Sequence, residues 1–133
     1  MPEDRAGEWL DKGRGEGMKD LVLKVASLLR DKRARNIVVL DLDKLATFTD
    51  FFVICTVKTA VQTKALVRFV EELMEGTGIR QVNRNTAFDS MWVLLDYNYF
   101  IIHIFLQEGR DYYQLEKLWC DAKVVYSHEG DVV

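Results

Sequence analysis

Asp41-Leu42-Asp43 places two carboxylates two residues apart at the end of an apolar run, Ile37-Val38-Val39-Leu40. On an extended chain alternate residues share a face, so the pair points one way and can share a divalent cation, as nucleotidyl transfer requires. That chemistry also needs a phosphate loop with glycine and serine upstream, and a third carboxylate on a neighbouring strand. Upstream stands Arg33-Ala34-Arg35-Asn36, which has neither glycine nor serine. A metal-dependent nucleotidyltransferase using Asp41 and Asp43 is the enzymatic alternative, and a solvated turn after a strand is the stronger reading. His103 is the second candidate. A histidine base needs a nucleophile and an orienting acid. Ser90 lacks an elbow-like glycine context, and Asp96, diagonal to His103 across a hairpin, makes a two-member pair without a nucleophile. Cys55 and Cys120 form no CxxC and have no histidine at metal-ligand spacing, so they read as reduced, partly buried thiols. These residues point to a protein that is not an enzyme and needs no metal and no cofactor.

The aromatic residues carry more information. Phe88, Trp92, Tyr97, Tyr99, Phe100, Phe105, Tyr112, Tyr113 and Trp119 crowd about a quarter of the chain, with only Arg110 and Lys117 as cations among them. Stacking of single-stranded nucleic acid calls for interleaved basic residues, so strong direct nucleic-acid binding is not expected. Two apolar runs, Met91 to Tyr97 and Tyr99 to Phe105, meet at Asn98 and fold on paper into a hairpin. A two-residue loop at Asn98-Tyr99 pairs Tyr97 with Phe100, Leu95 with Ile102 and Val93 with Ile104. That face is wholly apolar and wants a core. The other carries Trp92, Leu94, Asp96, Ile101, His103 and Phe105. It is either a second, imperfectly apolar core layer or a recognition surface, with Trp92 and Tyr113 as the interface anchors left over from the core.

The elements that position these groups follow from periodicity. Residues 1–17 hold several charges, four glycines and the only proline, and read as a flexible arm. Met18, Leu21, Val22, Val25, Leu28 and Leu29 recur at helical spacing, and Arg30, Lys32, Arg33 and Arg35 form a basic cluster suited to a solvated helix end. Asn36 breaks the pattern before the strand 37–40. A polar connection over 41–49 leads to a strand at 50–56. Thr59-Ala60-Val61-Gln62 has the form of a capping box. The helix it opens carries the stripe Val61, Ala65, Phe69 and Leu73, flanked by Leu66, Val70 and Met74, and stops at Gly76 and Gly78. An edge strand around Arg80-Gln81-Val82 precedes the hairpin. Asp111 is placed to cap a third helix with the stripe Tyr112, Leu115, Leu118, Trp119 and Ala122. Val124-Val125-Tyr126 suits a last short strand. The order αββα(β)ββα predicts an α/β fold, a single domain over 18–126 with a mixed β-sheet and flanking helices, followed by a tail over 127–133.

At 133 residues the chain suits one domain, and 49% hydrophobic with 29% charged residues is a globular balance. A net charge of −3 argues against binding nucleic acid mainly through phosphates and favours an acidic surface facing a basic protein. No apolar run reaches bilayer length and the start lacks a secretory apolar stretch, so the expectation is a cytoplasmic protein with no membrane partner.

Several segments together resemble the Iojap-like ribosomal silencing factors. They are Thr49-Asp50-Phe51-Phe52-Val53-Ile54, Trp92-Val93-Leu94-Leu95-Asp96-Tyr97, His103-Ile104-Phe105, Arg110, Tyr112-Tyr113, Leu115-Glu116 and Leu118-Trp119-Cys120-Asp121-Ala122, in matching order and spacing over about residues 18 to 122. Three places depart from the family pattern. Val57-Lys58-Thr59 stands where a glycine and a small polar residue are usual. Tyr97-Asn98-Tyr99 replaces a Tyr-Gly-Asp turn, which asparagine's tolerance of the left-handed region preserves. Phe88-Asp89-Ser90 replaces a glutamate-glycine pair.

The resemblance implies a fold similar to nucleotidyltransferases without their catalytic set. It also implies a translation repressor that binds the large ribosomal subunit through a ribosomal protein on the intersubunit face. Occupying that face blocks subunit joining when nutrients are scarce. A large-subunit assembly factor without silencing is the near alternative, since bacterial members silence and organellar relatives assist assembly; a homodimer stays open. The partner-binding residues expected are Trp92, Leu94 and Asp96 on the outer hairpin face, with Tyr97 and His103 second; Asp96 would pair with a basic side chain.

Overall fold

A computed structural model describes residues 14–84, 87 and 89–129, with side-chain burial described from Gly17 onward. Residues 1–13 of the expected arm, Phe88, and residues 130–133 of the expected tail lie outside the described residues, while Ser127 and His128 of that tail belong to the last strand. The first helix, α1, spans Arg14–Asp31. It takes in four residues assigned above to the arm. Glycine costs about 1 kcal/mol relative to alanine in a helix interior. The buried face of Met18, Leu21, Val22, Val25, Ala26 and Leu29 outweighs that cost by packing, and Gly17 itself is buried.

The remaining elements are β1 (Arg35–Asp41), β2 (Phe51–Val57), α2 (Ala60–Glu75), β3 (Asn83–Arg84), β4 (Trp92–Asp96), β5 (Phe100–Leu106), α3 (Gln107–Tyr113), α4 (Leu115–Leu118) and β6 (Lys123–His128). The six strands form one sheet in the order β3-β4-β5-β2-β1-β6. Only β2 and β5 pair in parallel, so the sheet is mixed. Asn36 does not end β1. It sits at φ 48° where the register with β2 shifts, a bulge inside the strand. The edge strand lies slightly later than 80–82, at Asn83–Arg84, with Val82 N donating to Asp96 O at 2.7 Å.

The capping box forms with a small change. Thr59 Oγ1 accepts from Gln62 N at 3.2 Å, while Gln62 Oε1 accepts from Lys58 N at 2.9 Å, one residue before the cap. The buried face of α2 is Thr63, Leu66, Val67, Val70 and Met74. The stripe expected from Val61 is therefore rotated: the three residues read as flanking are central, and Val61 is 80% exposed. An i, i+4 row drifts around a helix of 3.6 residues per turn, so a row chosen at one end leaves the core at the other.

The hairpin keeps the register that its alternation predicts, with Val93 opposite Ile104 and Leu95 opposite Ile102. Asn98 takes φ 72° in the loop, and Tyr97 N donates to Phe100 O at 3.0 Å. The third helix differs from expectation. It starts at Gln107, directly after β5, and breaks at Gln114, which sits at φ 47°, before the single turn of α4. Asp111 is inside α3, where its Oδ1 accepts from Gln107 Nε2 at 2.9 Å, and is not a cap. Tertiary contact sets the real start. At Gly109 a Cβ would fall 2.4 Å from Met91 O, so only glycine lets α3 lie against the start of the hairpin.

Helices α1 and α2 cover one face of the sheet. The main core lies there, and it includes Val53, Cys55, Val93, Leu95, Tyr97, Phe100, Ile102 and Ile104. The opposite face holds a smaller layer of Leu40, Leu42, Phe52, Ile54, Ile101, Phe105 and Leu115.

Candidate functional site

The outer face of the β4–β5 hairpin is roofed only in part, by the 42–50 connection and by α3 and α4. Trp92 and Leu94 are half-buried at its margin, packed on the second apolar layer. Trp92 is held in place. Its Nε1 donates to His103 Nδ1 at 3.0 Å, and its rings lie 5.2 Å from Phe105 and 4.7 Å from Tyr113. Tyr112 continues the line, edge-on to Tyr113 at 5.0 Å and 75% exposed. On the other flank Phe48, Phe52 and Trp119 form a second cluster, with Phe48 and Phe52 respectively 6.0 and 5.6 Å from Trp119. Phe48 is more than half exposed. The imidazole of His103 joins the two clusters, 4.5 Å from Phe52 and 5.7 Å from Trp92.

His103 is 3% exposed, so it supports the surface from beneath and offers no edge to a docking protein. It was expected among the residues that touch a partner, and the fold places it beneath that surface. Burial pushes its pKa down to about 3, because a cation there would lose its hydration. A neutral imidazole whose Nδ1 accepts from the indole carries its proton on Nε2. Nε2 and Thr49 Oγ1 are buried without a hydrogen-bond partner among the described residues. No Asp96–His103 pair forms, since Asp96 lies opposite Ile101 and its Oδ1 accepts from Asn98 N at 2.7 Å. Asp96 braces the hairpin turn and remains half-exposed.

Tyr97, also expected at the partner surface, lies on the inner face. It is 2% exposed, stacks on Phe100 at 5.4 Å in the main core, and its hydroxyl accepts from Gln81 Nε2 at 3.1 Å. Burial raises its pKa, with the Gln81 hydrogen bond opposing. Of the five residues expected to touch a partner, the fold leaves Trp92, Leu94 and Asp96 accessible and buries Tyr97 and His103.

Sequence reasoning passed over two other contributors. Phe48 is a lone aromatic in a connection read as polar, and that isolation was its one signal. Arg110 lies buried behind the roof, where Nε and Nη2 grip Glu116 at 2.6 and 3.0 Å and Nη1 donates to Thr56 Oγ1 at 2.8 Å. The guanidinium ties α3, α4 and β2 together across the break at Gln114. A single sequence gives no hint of the Thr56 contact, 54 residues away.

The carboxylates of the enzymatic alternative are occupied locally. Asp41 Oδ1 accepts from Asp43 N at 3.0 Å, an Asx turn, while Leu42 between them is buried. Strands β2 and β6 beside β1 contribute no third carboxylate. Among the described residues no three potential metal ligands converge. Burial raises the Cys55 thiol to about 12, above the Arg110 charge that would lower it, and Cys120 is exposed.

Comparison with known proteins decides the family. The sequence pattern of the family described as "Ribosomal silencing factor during starvation" matches residues 16–132. The chain belongs to that family. A relative named ribosomal silencing factor RsfS, from Bacillus subtilis, is 38% identical over 103 residues, covering 76% of this chain and 86% of the relative. A mouse protein named for mitochondrial assembly of the ribosomal large subunit is 31% identical over 128 residues, covering 90% of this chain and 55% of that protein. A crystal structure from Bacillus halodurans superposes with a TM-score of 0.70 at 28% identity, covering 81% of this chain and 98% of that one. The single-domain α/β fold with its mixed sheet is thus one that the family's solved structures share.

Proposed function

We propose that this protein represses translation by docking the outer hairpin face on the large ribosomal subunit, through a ribosomal protein at the intersubunit face. The small subunit is then sterically kept from joining. The observation that carries the reading is the half-open aromatic margin around Trp92 and Leu94, in a chain of the ribosomal silencing family. A rigid indole, already fixed to His103, loses little conformational freedom on binding. Asp96 adds a carboxylate at the rim for a basic side chain of the partner. No chemical step is part of this action, and the site of action is the cytoplasm.

Sucrose-gradient co-sedimentation with separated subunits, followed by a subunit-joining assay, tests the proposal. The protein should travel with the large subunit alone and inhibit joining. Travel with the small subunit, or joining unaffected at saturation, would refute it. The mouse relative's name favours a second reading, assembly of the large subunit without silencing. That reading predicts the same co-sedimentation with mature joining unimpaired. For the enzymatic alternative, calorimetry with magnesium and each nucleoside triphosphate should show no specific heat, and micromolar binding abolished by Asp41→Asn would restore it.

A further inference from the structure

The end of α1 and the start of α2, far apart in sequence, are neighbours in space. Gln62 Nε2 donates to Arg33 O at 3.2 Å, and Lys32 Nζ lies 4.0 Å above the Phe69 ring. Arg68 Cζ lies 5.4 Å from the same ring. Along α2 the exposed positions Val61, Lys64 and Arg68 recur at intervals of three or four residues, which keeps them on one side; Lys58 lies just before the helix, its N–H held by Gln62 Oε1 at 2.9 Å. Lys64 and Arg68 are one turn apart, about 6 Å of axis at 1.5 Å per residue. Lys32, Lys58, Lys64 and Arg68 have no carboxylate within ion-pair distance among the described residues. The first turn of α2 holds no acidic residue, so the helix dipole adds to the positive field. In a chain of net charge −3 this is a concentrated exception.

We infer that this ridge binds the phosphate backbone of double-stranded RNA. The inference deepens the ribosome-docking reading and rests on it only for the source of the RNA. Lys64 and Arg68 border an open hollow that also holds Glu71 and Arg84, and four exposed cations spread over one surface suit a repeating line of phosphates better than one small anion. Single strands are usually gripped by stacking bases on aromatic rings. The one aromatic ring here, Phe69, already carries two cations, whereas duplex RNA is read through its shape and phosphates. The contact is auxiliary: the outer face supplies the protein partner and the ridge adds a salt-sensitive second hold. It narrows the sequence-based expectation of no strong nucleic-acid binding to a local, modest affinity.

Fluorescence anisotropy of the full chain with a labelled 20-base-pair RNA duplex, read from low to moderate salt, tests this. With four phosphates engaged, log affinity should fall against log salt with a slope of about −3. Lys64→Gln/Arg68→Gln should flatten that slope by about 2 and weaken low-salt binding roughly tenfold, with an unchanged melting curve. Lys32→Gln/Lys58→Gln should do the same independently, so a folding defect in one pair leaves the other decisive. Lys44→Gln/Lys123→Gln, exposed elsewhere, should change neither. No binding at low salt, equal loss in the control pair, or binding to heparin as tight as to the duplex at the same salt would each overturn the inference. Trp92→Ala should leave duplex affinity intact, so failure here leaves the docking reading standing.

Discussion

The two faces of the β4–β5 hairpin are built from alternate residues of the same strands, yet they meet different covers. The inner face is aliphatic at Val93, Leu95, Ile102 and Ile104, and lies under helices of 18 and 16 residues. The outer face is aromatic, and its roof is a connection and a helix broken into seven and four residues. Long helices bury everything beneath them. A broken roof leaves margins, and there large side chains are half-buried and held in place. The comparison teaches that the apolar character of a face does not decide between core and interface. The extent of its cover does.

The sharpest way to break this comparison uses two adjacent leucines. Leu95→Ala should destabilise the fold by about 2–5 kcal/mol, because its side chain is fully enclosed in the main core, while the folded fraction keeps its affinity. Leu94→Ala should cost much less stability and weaken large-subunit binding by roughly 1–2 kcal/mol, with Trp92→Ala worse, as for an interface anchor. Denaturant unfolding and co-sedimentation on the same variants read both quantities. Equal destabilisation by the two leucine changes would make both faces core and move the docking surface elsewhere.

The roof itself is tested at Arg110. Arg110→Met removes a buried guanidinium and strands Thr56 Oγ1. A fully buried pair broken on one side costs about 3–5 kcal/mol, and Glu116, more than a third exposed, recovers hydration, so about 2 kcal/mol is expected. Fluorescence of Trp92 and Trp119 should shift as the aromatic margin loosens. Unchanged stability and emission would show that apolar packing alone holds α3 and α4.

The smallest effect sharpens the comparison by pH. Burial lowers the folded pKa of His103 to about 3 from the ordinary histidine value of 6.5, so the folded state binds fewer protons than the unfolded state between those values. The stability this contributes is present above about pH 6.5 and is lost as pH falls below it, by up to about 1.4 kcal/mol per pH unit for one proton. Relative to His103→Phe, the native chain should lose stability with that slope between pH 6 and 5. Parallel curves would mean that His103 is hydrated in the folded protein.

Much of the fold was legible because it depends on local pattern. Strand alternation and Asn98 specify the hairpin register, and Thr59 with Gln62 specify the start of α2. The misreadings share a cause. Asp111 looked like a cap, but the helix starts where Gly109 can approach Met91. Tyr97 and His103 looked accessible because sequence shows which face a residue takes, not what lies over it. Trp92, Leu94 and Asp96 survived as candidates because they stand at the margin of the incomplete roof.

By itself the sequence determined the element order, the hairpin pairing, the two-faced character of β4 and β5, and the family. Each of these rests on periodicity, turn chemistry or segment similarity, which are properties of neighbours along the chain. Only the tertiary structure decided how the outer face is divided between layer and margin, where Arg110 anchors, and that the cations of α1 and α2 form one ridge. Those depend on contacts between residues tens of positions apart, and burial is set by what the rest of the chain places on top.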